Sequence, residues 1–263
     1  MVGLARQALA HGWRTVTLNF RSCSGELNRL PQFYHSGQTD DLDEVVRLLV
    51  GREPNLRLGA VGVSLGGNVL LKWLGEQEVG VPAELVGAVA ISTPFDLEPC
   101  ARALDRGFCR WLYAANFLGT MRAKVRRKAD RDPDLRRVVD LPQALRARTF
   151  AEYDRAVTAP LNGFADERDY WRRASSGPYL SRIRRPTLLV NALDDPIVPR
   201  EALPNPVLPP SVRAEYVPRG GHAGFIDGRW PWHVNSWVER RAIDFLAPLV
   251  ADGDGAPRTS RVC

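Results

Sequence analysis

The pentapeptide Gly62-Val63-Ser64-Leu65-Gly66 limits what this chain can fold into more than any other stretch, because its two flanks ask for different secondary structures. Leu58, Ala60 and Val61 form a short apolar run with the length and branching of a buried strand. After Gly66-Gly67, the segment Asn68-Val69-Leu70-Leu71-Lys72-Trp73-Leu74 has helical spacing. A strand, a tight turn with a serine at its tip and a helix together make the context of a nucleophile elbow. A turn that sharp leaves no room for Cβ atoms beside it, which explains the glycines, and it predicts a strained backbone at Ser64. The amides opening the helix, beginning with that of Leu65, are expected to point at an oxyanion formed next to Ser64. A chance match in a Gly-rich loop is the alternative, and the two correct flanks argue against it.

A chain of 263 residues is long for one small domain and ordinary for an α/β domain with an insertion. With 44% hydrophobic residues it can bury a large core, which excludes wholesale disorder. No apolar run approaches the roughly 20 residues that span a bilayer. The amphipathic N-terminus gives no sign of a signal peptide, so a cytoplasmic protein is expected. Cys23, Cys100, Cys109 and Cys263 lack metal-ligand spacing and suit reduced thiols. The net charge of +6 comes largely from arginines between Arg102 and Arg148 and near Arg182 to Arg185. Such a local face suits a solvated surface or contact with an anionic membrane better than a nucleic-acid groove.

Along the chain, Leu4 to Ala10 reads as a helix ending at His11-Gly12, and the alternation of Trp13 to Phe20 reads as a strand. A polar loop leads to a helix from Asp40 to Gly51, with Thr39 as its expected N-cap and Val45, Leu48 and Leu49 as its apolar face. After the elbow, Leu85 to Ser92 reads as another strand. The alternation of helices and strands predicts a mostly parallel sheet flanked by helices. From Cys100 to Tyr179 no strand-like run occurs, but helical stretches do: Ala103 to Leu118, Leu141 to Thr149 and Asp166 to Ser175. Residues 97–182 are therefore expected to be a helical cap insertion between a first core part, 1–96, and a second, 183–250, with 251–263 a disordered tail. In the second part, Thr187 to Ala192 and Ala214 to Val217 read as strands, and Trp237 to Leu249 as an amphipathic helix.

Functional residues in open parallel sheets collect at strand C-termini. Ser64, an aspartate after the Val190 strand and His222 lie there in the chain order Ser, acid, His. His222 would take the Ser64 hydroxyl proton and later return it to the leaving group, while the aspartate holds the imidazole tautomer. The glycines around His222 let its loop approach the elbow closely. Asp194 and Asp195 are adjacent and cannot both face His222; the Asp-Pro-Ile-Val-Pro spacing favours Asp195, and Asp194 stays open as the acid or as a cap of the turn. His35 reads as satisfying a local hydrogen bond, His11 as ending a helix, and His233 as packing among Trp230, Pro231 and Trp232. The aromatic run Trp111, Tyr113 and Phe117 could line an acyl pocket or form the core of the insertion.

Taken jointly, five segments resemble the YheT-like branch of the α/β-hydrolases, the bacterial counterpart of the eukaryotic ABHD-type lipid hydrolases. They are Asn19-Phe20-Arg21-Ser22-Cys23-Ser24-Gly25-Glu26 with Asn28-Arg29, Tyr34-His35-Ser36-Gly37, Gly62 through Asn68, Asp194-Asp195-Pro196, and Gly220 through Phe225. The resemblance runs from about residue 4 to 249. It implies a carboxylic ester hydrolase acting on acylglycerol- or phospholipid-like esters or on short acyl esters, with a helical cap and neither cofactor nor metal. By it, Ser64 is the nucleophile, His222 the base and Asp195 the acid.

Members of this branch open with several strands and a His-Gly loop that supplies the second oxyanion-hole amide, ahead of the helix that begins here at Val2. On that pattern the chain reads as N-terminally truncated, its oxyanion receiving the Leu65 amide without a defined second donor. Loss of one donor costs about 10²–10³ in turnover. The sheet is then expected to expose an edge beside a central strand. Two alternatives to an active esterase follow: an impaired hydrolase-fold binding protein, and an acyltransferase.

Overall fold

Alternate residues of the segment Leu85–Ile91 are buried on opposite sides, and this period-2 pattern places one sheet between two helical layers. The computed structural model describes residues 2–204, 207–227 and 235–251. Four parallel strands, β1 (Leu58–Val63), β2 (Leu85–Ile91), β3 (Thr187–Ala192) and β4 (Val212–Val217), lie side by side in chain order. Val61 pairs with Val89, Ile91 with Val190 and Val190 with Glu215. On one face Ala88, Ala90 and Leu189 pack against α2 (Asp40–Arg52) and α3 (Leu65–Gln77), whose Val46, Leu70, Trp73 and Leu74 fill the layer. On the other face Val89, Ile91, Leu188 and Val190 meet Val238, Ala242 and Leu246 of the helix Trp237–Ala251. Leu4 of α1 (Val2–Ala10) and Trp13 close that side.

Trp13 to Phe20 forms no strand. Alternation alone does not make one, because a strand also needs a neighbour's hydrogen-bond ladder. Among the described residues β1 pairs only with β2, and Val16 and Leu18 are exposed. The face of α2 also differs from expectation. Val46 is its buried side chain, Leu42 and Val50 pack beside the core, and Leu48 points outward. Thr39 makes no side-chain cap; its hydroxyl donates to Glu76 Oε2 at 2.8 Å.

Between β2 and β3 every regular element is helical, beginning with α4 (Leu97–Leu104). The basic stretch that follows Leu118, not assigned to any element from the sequence, is helical as well. A π-helical turn, Arg110–Ala114, runs into a helix at Ala115–Arg131, held by Leu118, Val125 and Ala129 on one face. These side chains share a core with Tyr153, Ala156, Val157 and, from the loop before α2, Phe33. Of the aromatic run, Trp111 and Phe117 are largely exposed, Phe117 tilting against Phe150, and Tyr113 packs beside the cluster of Cys100, Ile197 and Val198. The run is therefore not a core stripe.

No disulfide joins the described cysteines Cys23, Cys100 and Cys109, and no described helix is long and apolar enough to cross a membrane. Cys263, His233 with its tryptophans, and the tail from residue 252 lie outside the described residues.

Candidate active site

Gly62 is the last residue but one of β1, just before the chain must turn back on itself. A Cβ there would stand 2.4 Å from the Gly66 carbonyl oxygen, and one on Gly67 would stand 2.1 Å from Thr93 Oγ1. Both positions therefore require glycine. Ser64, between them, adopts φ 53° and ψ −120°, a conformation that L-residues rarely populate. Its own N–H donates to the Ile91 carbonyl at 2.7 Å, and its carbonyl accepts from Gly67 and Asn68 as α3 begins. The hydroxyl is thereby lifted to the C-terminal edge of the sheet. Leu65 is the first residue of α3, so its amide has no acceptor within the helix.

One turn into α3, Asn68 is fully buried and binds three segments at once. Its amide nitrogen donates to the carbonyls of Ser36 and Ala174, and its oxygen accepts from the Ser176 N–H. The tetrapeptide Tyr34-His35-Ser36-Gly37 is thus docked between the elbow helix and the helix Glu167–Ala174, where the Tyr170 hydroxyl donates to Ser36 Oγ at 2.7 Å. His35 accepts from the Gly37 N–H through Nδ1 and stands edge-on to Phe164 and Tyr170. Burial, and then Lys72, Arg21 and Arg173, push its pKa down to about 4.

At the end of β3 the two adjacent aspartates part company. Asp195, its side chain buried, accepts the Ile197 and Val198 amides at 2.8 and 3.1 Å and lies 2.9 and 3.1 Å from His222 Nδ1. A carboxylate only accepts, so Nδ1 carries the proton and Nε2 is left as the acceptor. Ser64 Oγ lies 2.9 Å from Nε2 and donates to it. Asp194 turns the other way and accepts the Gly220 and Gly221 amides, both at 2.8 Å. Those amides, Gly221 first, hold its carboxyl below the usual range.

The structure therefore brings Ser64, Asp195 and His222 into one line of hydrogen bonds and leaves His35 and His11 in local ones. His11 Nδ1 meets the Gln7 carbonyl at the end of α1. Sequence reasoning passed over Ser92. It is fully buried, has φ +50°, and accepts the Ala223 N–H at 3.0 Å. Its place just beyond a β-strand C-terminus was the available signal. Among the described residues no group of histidines, cysteines and carboxylates could hold a metal ion.

Such a line of groups can move a proton from the serine hydroxyl to the imidazole and leave an alkoxide-like nucleophile beside a helix N-terminus. Comparison with known proteins agrees on the scaffold that carries it. A family model described as the alpha/beta hydrolase fold matches residues 2–229. YheT of Escherichia coli (strain K12), provisionally named an esterase, is 38% identical over 93% of this chain and 71% of its own length. Phospholipase ABHD3 of Mus musculus is 30% identical over 92% of this chain, which spans only 58% of that protein. Among solved structures, the Pyrococcus furiosus esterase Pf2001 superposes with a TM-score of 0.55 at 16% identity, over 94% of this chain and 76% of that one, and so shares the fold. The chain belongs to the α/β-hydrolase family, in the branch that holds YheT and ABHD3.

Proposed function

We propose that the protein hydrolyses carboxylic esters through an acyl-enzyme on Ser64. The observation that supports this most directly is the continuous hydrogen-bonded line from Ser64 Oγ through His222 to Asp195. In this reading His222 Nε2 takes the hydroxyl proton as Oγ bonds to the ester carbonyl carbon, and the carbonyl π pair moves to oxygen. The Leu65 N–H donates to that oxyanion at the opening of α3. Collapse breaks the bond to the alkoxy oxygen, which leaves with the proton from Nε2. A water then repeats the sequence, with His222 as its base, and releases the acid. Asp195 stays ionised throughout and stabilises the imidazolium.

The names of the relatives, an esterase and a phospholipase, support substrates of the acylglycerol, phospholipid or short acyl ester type. Contact with an anionic membrane belongs to the same reading. It rests on the exposed Arg126, Arg127 and Arg131 of the insertion, and co-sedimentation with phosphatidylserine vesicles tests it.

The central test uses a fluorophosphonate probe and a series of p-nitrophenyl esters of increasing chain length. Labelling confined to Ser64, with hydrolysis abolished by Ser64→Ala, is the expected result. An unlabelled folded protein, or an Ser64→Ala variant with full activity, overturns the assignment. Added alcohol acceptors separate hydrolysis from acyl transfer by their products.

A further inference from the structure

Two neighbouring residues at the end of β2 hold both halves of the candidate proton relay. The Ile91 carbonyl accepts the Ser64 N–H at 2.7 Å, and the next side chain, Ser92 Oγ, accepts the N–H of Ala223, the residue after His222, at 3.0 Å. The Ser92 N–H donates to the Val190 carbonyl at 2.8 Å, which ties the same point to β3, the strand that leads to Asp195. The Ile91–Ser92 peptide unit and the Ser92 side chain together therefore touch the segments bearing nucleophile, acid and base.

The loop that carries His222 needs such a tie. Gly221, Ala223 and Phe225 have φ of 57°, 59° and 43°, so the segment cannot join a strand ladder or a helix. Side chains hold its amides instead. Asp194 takes those of Gly220 and Gly221 on one side of His222, and Ser92 takes that of Ala223 on the other. Within the loop, the Phe225 N–H closes onto the Gly220 carbonyl at 3.0 Å.

Ser92 is also an unexpected residue for its own backbone. At φ +50° glycine or asparagine would be the less strained choice, and the site is completely buried. A serine kept there supplies what glycine lacks, a short hydroxyl acceptor in a dry place. Strained positions persist where the surroundings over-determine them, and such positions gather at functional sites.

We propose that the Ser92 hydroxyl is a positioning group for His222: by holding the Ala223 amide it fixes the imidazole at hydrogen-bond distance from Ser64, and it touches neither substrate nor reacting atoms. The proposal rests on the serine-hydrolase reading above.

Ser92→Ala removes only the hydroxyl, and Ser92→Gly also removes Cβ while relaxing the backbone conformation, so the two variants are measured together and the glycine variant is the informative one for stability. In the full-length protein one measures kcat and KM on p-nitrophenyl butyrate, the second-order rate of fluorophosphonate labelling at Ser64, and Tm. A misplaced base should lower kcat and the labelling rate about 10–100-fold and leave KM within about twofold. Tm of the glycine variant should remain close to that of the parent. Wild-type kcat and labelling in Ser92→Gly overturn the proposal, as does a loss that merely follows the unfolded fraction. Hydrogen exchange in the unsubstituted protein gives a check independent of any variant: the Ala223 amide should be protected, and exchange at the rate of an open loop overturns the inference. If unsubstituted Ser64 is never labelled, the hydrolase reading itself fails and the role of Ser92 falls with it. A labelled parent with an equally labelled Ser92→Gly variant sinks Ser92 alone.

Discussion

His222 Nε2 and Ser64 Oγ lie 2.9 Å apart although 158 positions separate them in the chain. Nothing local brings them together. Ser64 is presented by the turn between β1 and α3, and His222 by a loop after β4, so their meeting depends on the register of the intervening strands. Because β2 and β3 are buried on both faces, that register is fixed by packing. The same arrangement makes the site sensitive to small changes in groups that never approach a substrate.

Asp195→Asn should lower kcat by about 10⁴-fold with little change in KM, since an amide can present its N–H to His222 and hold the wrong tautomer. Its remaining oxygen can still accept from Ile197 or Val198, so the fold should survive. Steady-state kinetics on a short-chain ester together with a melting curve check both halves.

Asp154→Asn should stabilise the protein at pH 8. Asp154 is buried in the helical insertion, accepts from Thr158 Oγ1 and Trp171 Nε1, and has its pKa raised to about 7, chiefly by burial. A folded-state pKa above the unfolded value gives stability that is full below the unfolded pKa and is lost as pH rises through 7. Asparagine carries no such loss: its oxygen can accept from Trp171 while its amide donates to the Thr158 hydroxyl. The Tm gain should amount to several degrees at pH 8, at about 2–4 °C per kcal/mol for a chain of this size. It should shrink steadily toward pH 5, as thermal melts across the range will reveal.

His35 works with the opposite sign. Its pKa is lowered to about 4, so the stability it gives is present above 6.5 and fades as pH falls from there toward 4. His35→Asn keeps an acceptor for the Gly37 amide and cannot titrate. The wild-type protein should lose roughly 2 kcal/mol more than this variant between pH 7 and pH 4.5. Urea denaturation at the two pH values measures the difference.

Gly67→Ala should be far more damaging than Gly66→Ala. A methyl at Gly67 meets Thr93 Oγ1 at 2.1 Å, whereas one at Gly66 meets nothing within 4 Å. The first substitution should cost about 1–3 kcal/mol through overpacking, and the second should leave stability unchanged or slightly improved. Comparing soluble yield and Tm decides the matter.

The elbow was legible in the sequence because strand, turn and helix are local and each residue type has one reason to be there. Chain order and strand ends located Ser64 and His222. The Asp-Pro-Ile-Val-Pro spacing leaned to Asp195, the residue that faces His222, but left Asp194 open, since which way two adjacent side chains point is decided by tertiary hydrogen bonds. Trp13 to Phe20 misled for a related reason: the alternation is present, and among the described residues a ladder partner is not. The basic run after Leu118 hid a helix, because its buried positions, Val125 and Ala129, are few and widely spaced among arginines and lysines. Ser92 could not be found from residue type, as only the fold reveals the amide it faces.

Asn68 has a consequence for how a substrate could enter. By clasping Ser36, Ala174 and Ser176 it moors the far end of the helical insertion to the turn directly behind Ser64. The other end is tied as well, by Cys109 Sγ to the Pro196 carbonyl, by Tyr113 against Ile197 and Val198, and by Lys128 Nζ to Asn28 Oδ1, so any opening of the insertion must break contacts on both sides of the elbow. Removing the clasp with Asn68→Ala should cost about 2–4 kcal/mol of folding free energy, because it leaves the Ser176 amide and two buried carbonyls without their partner.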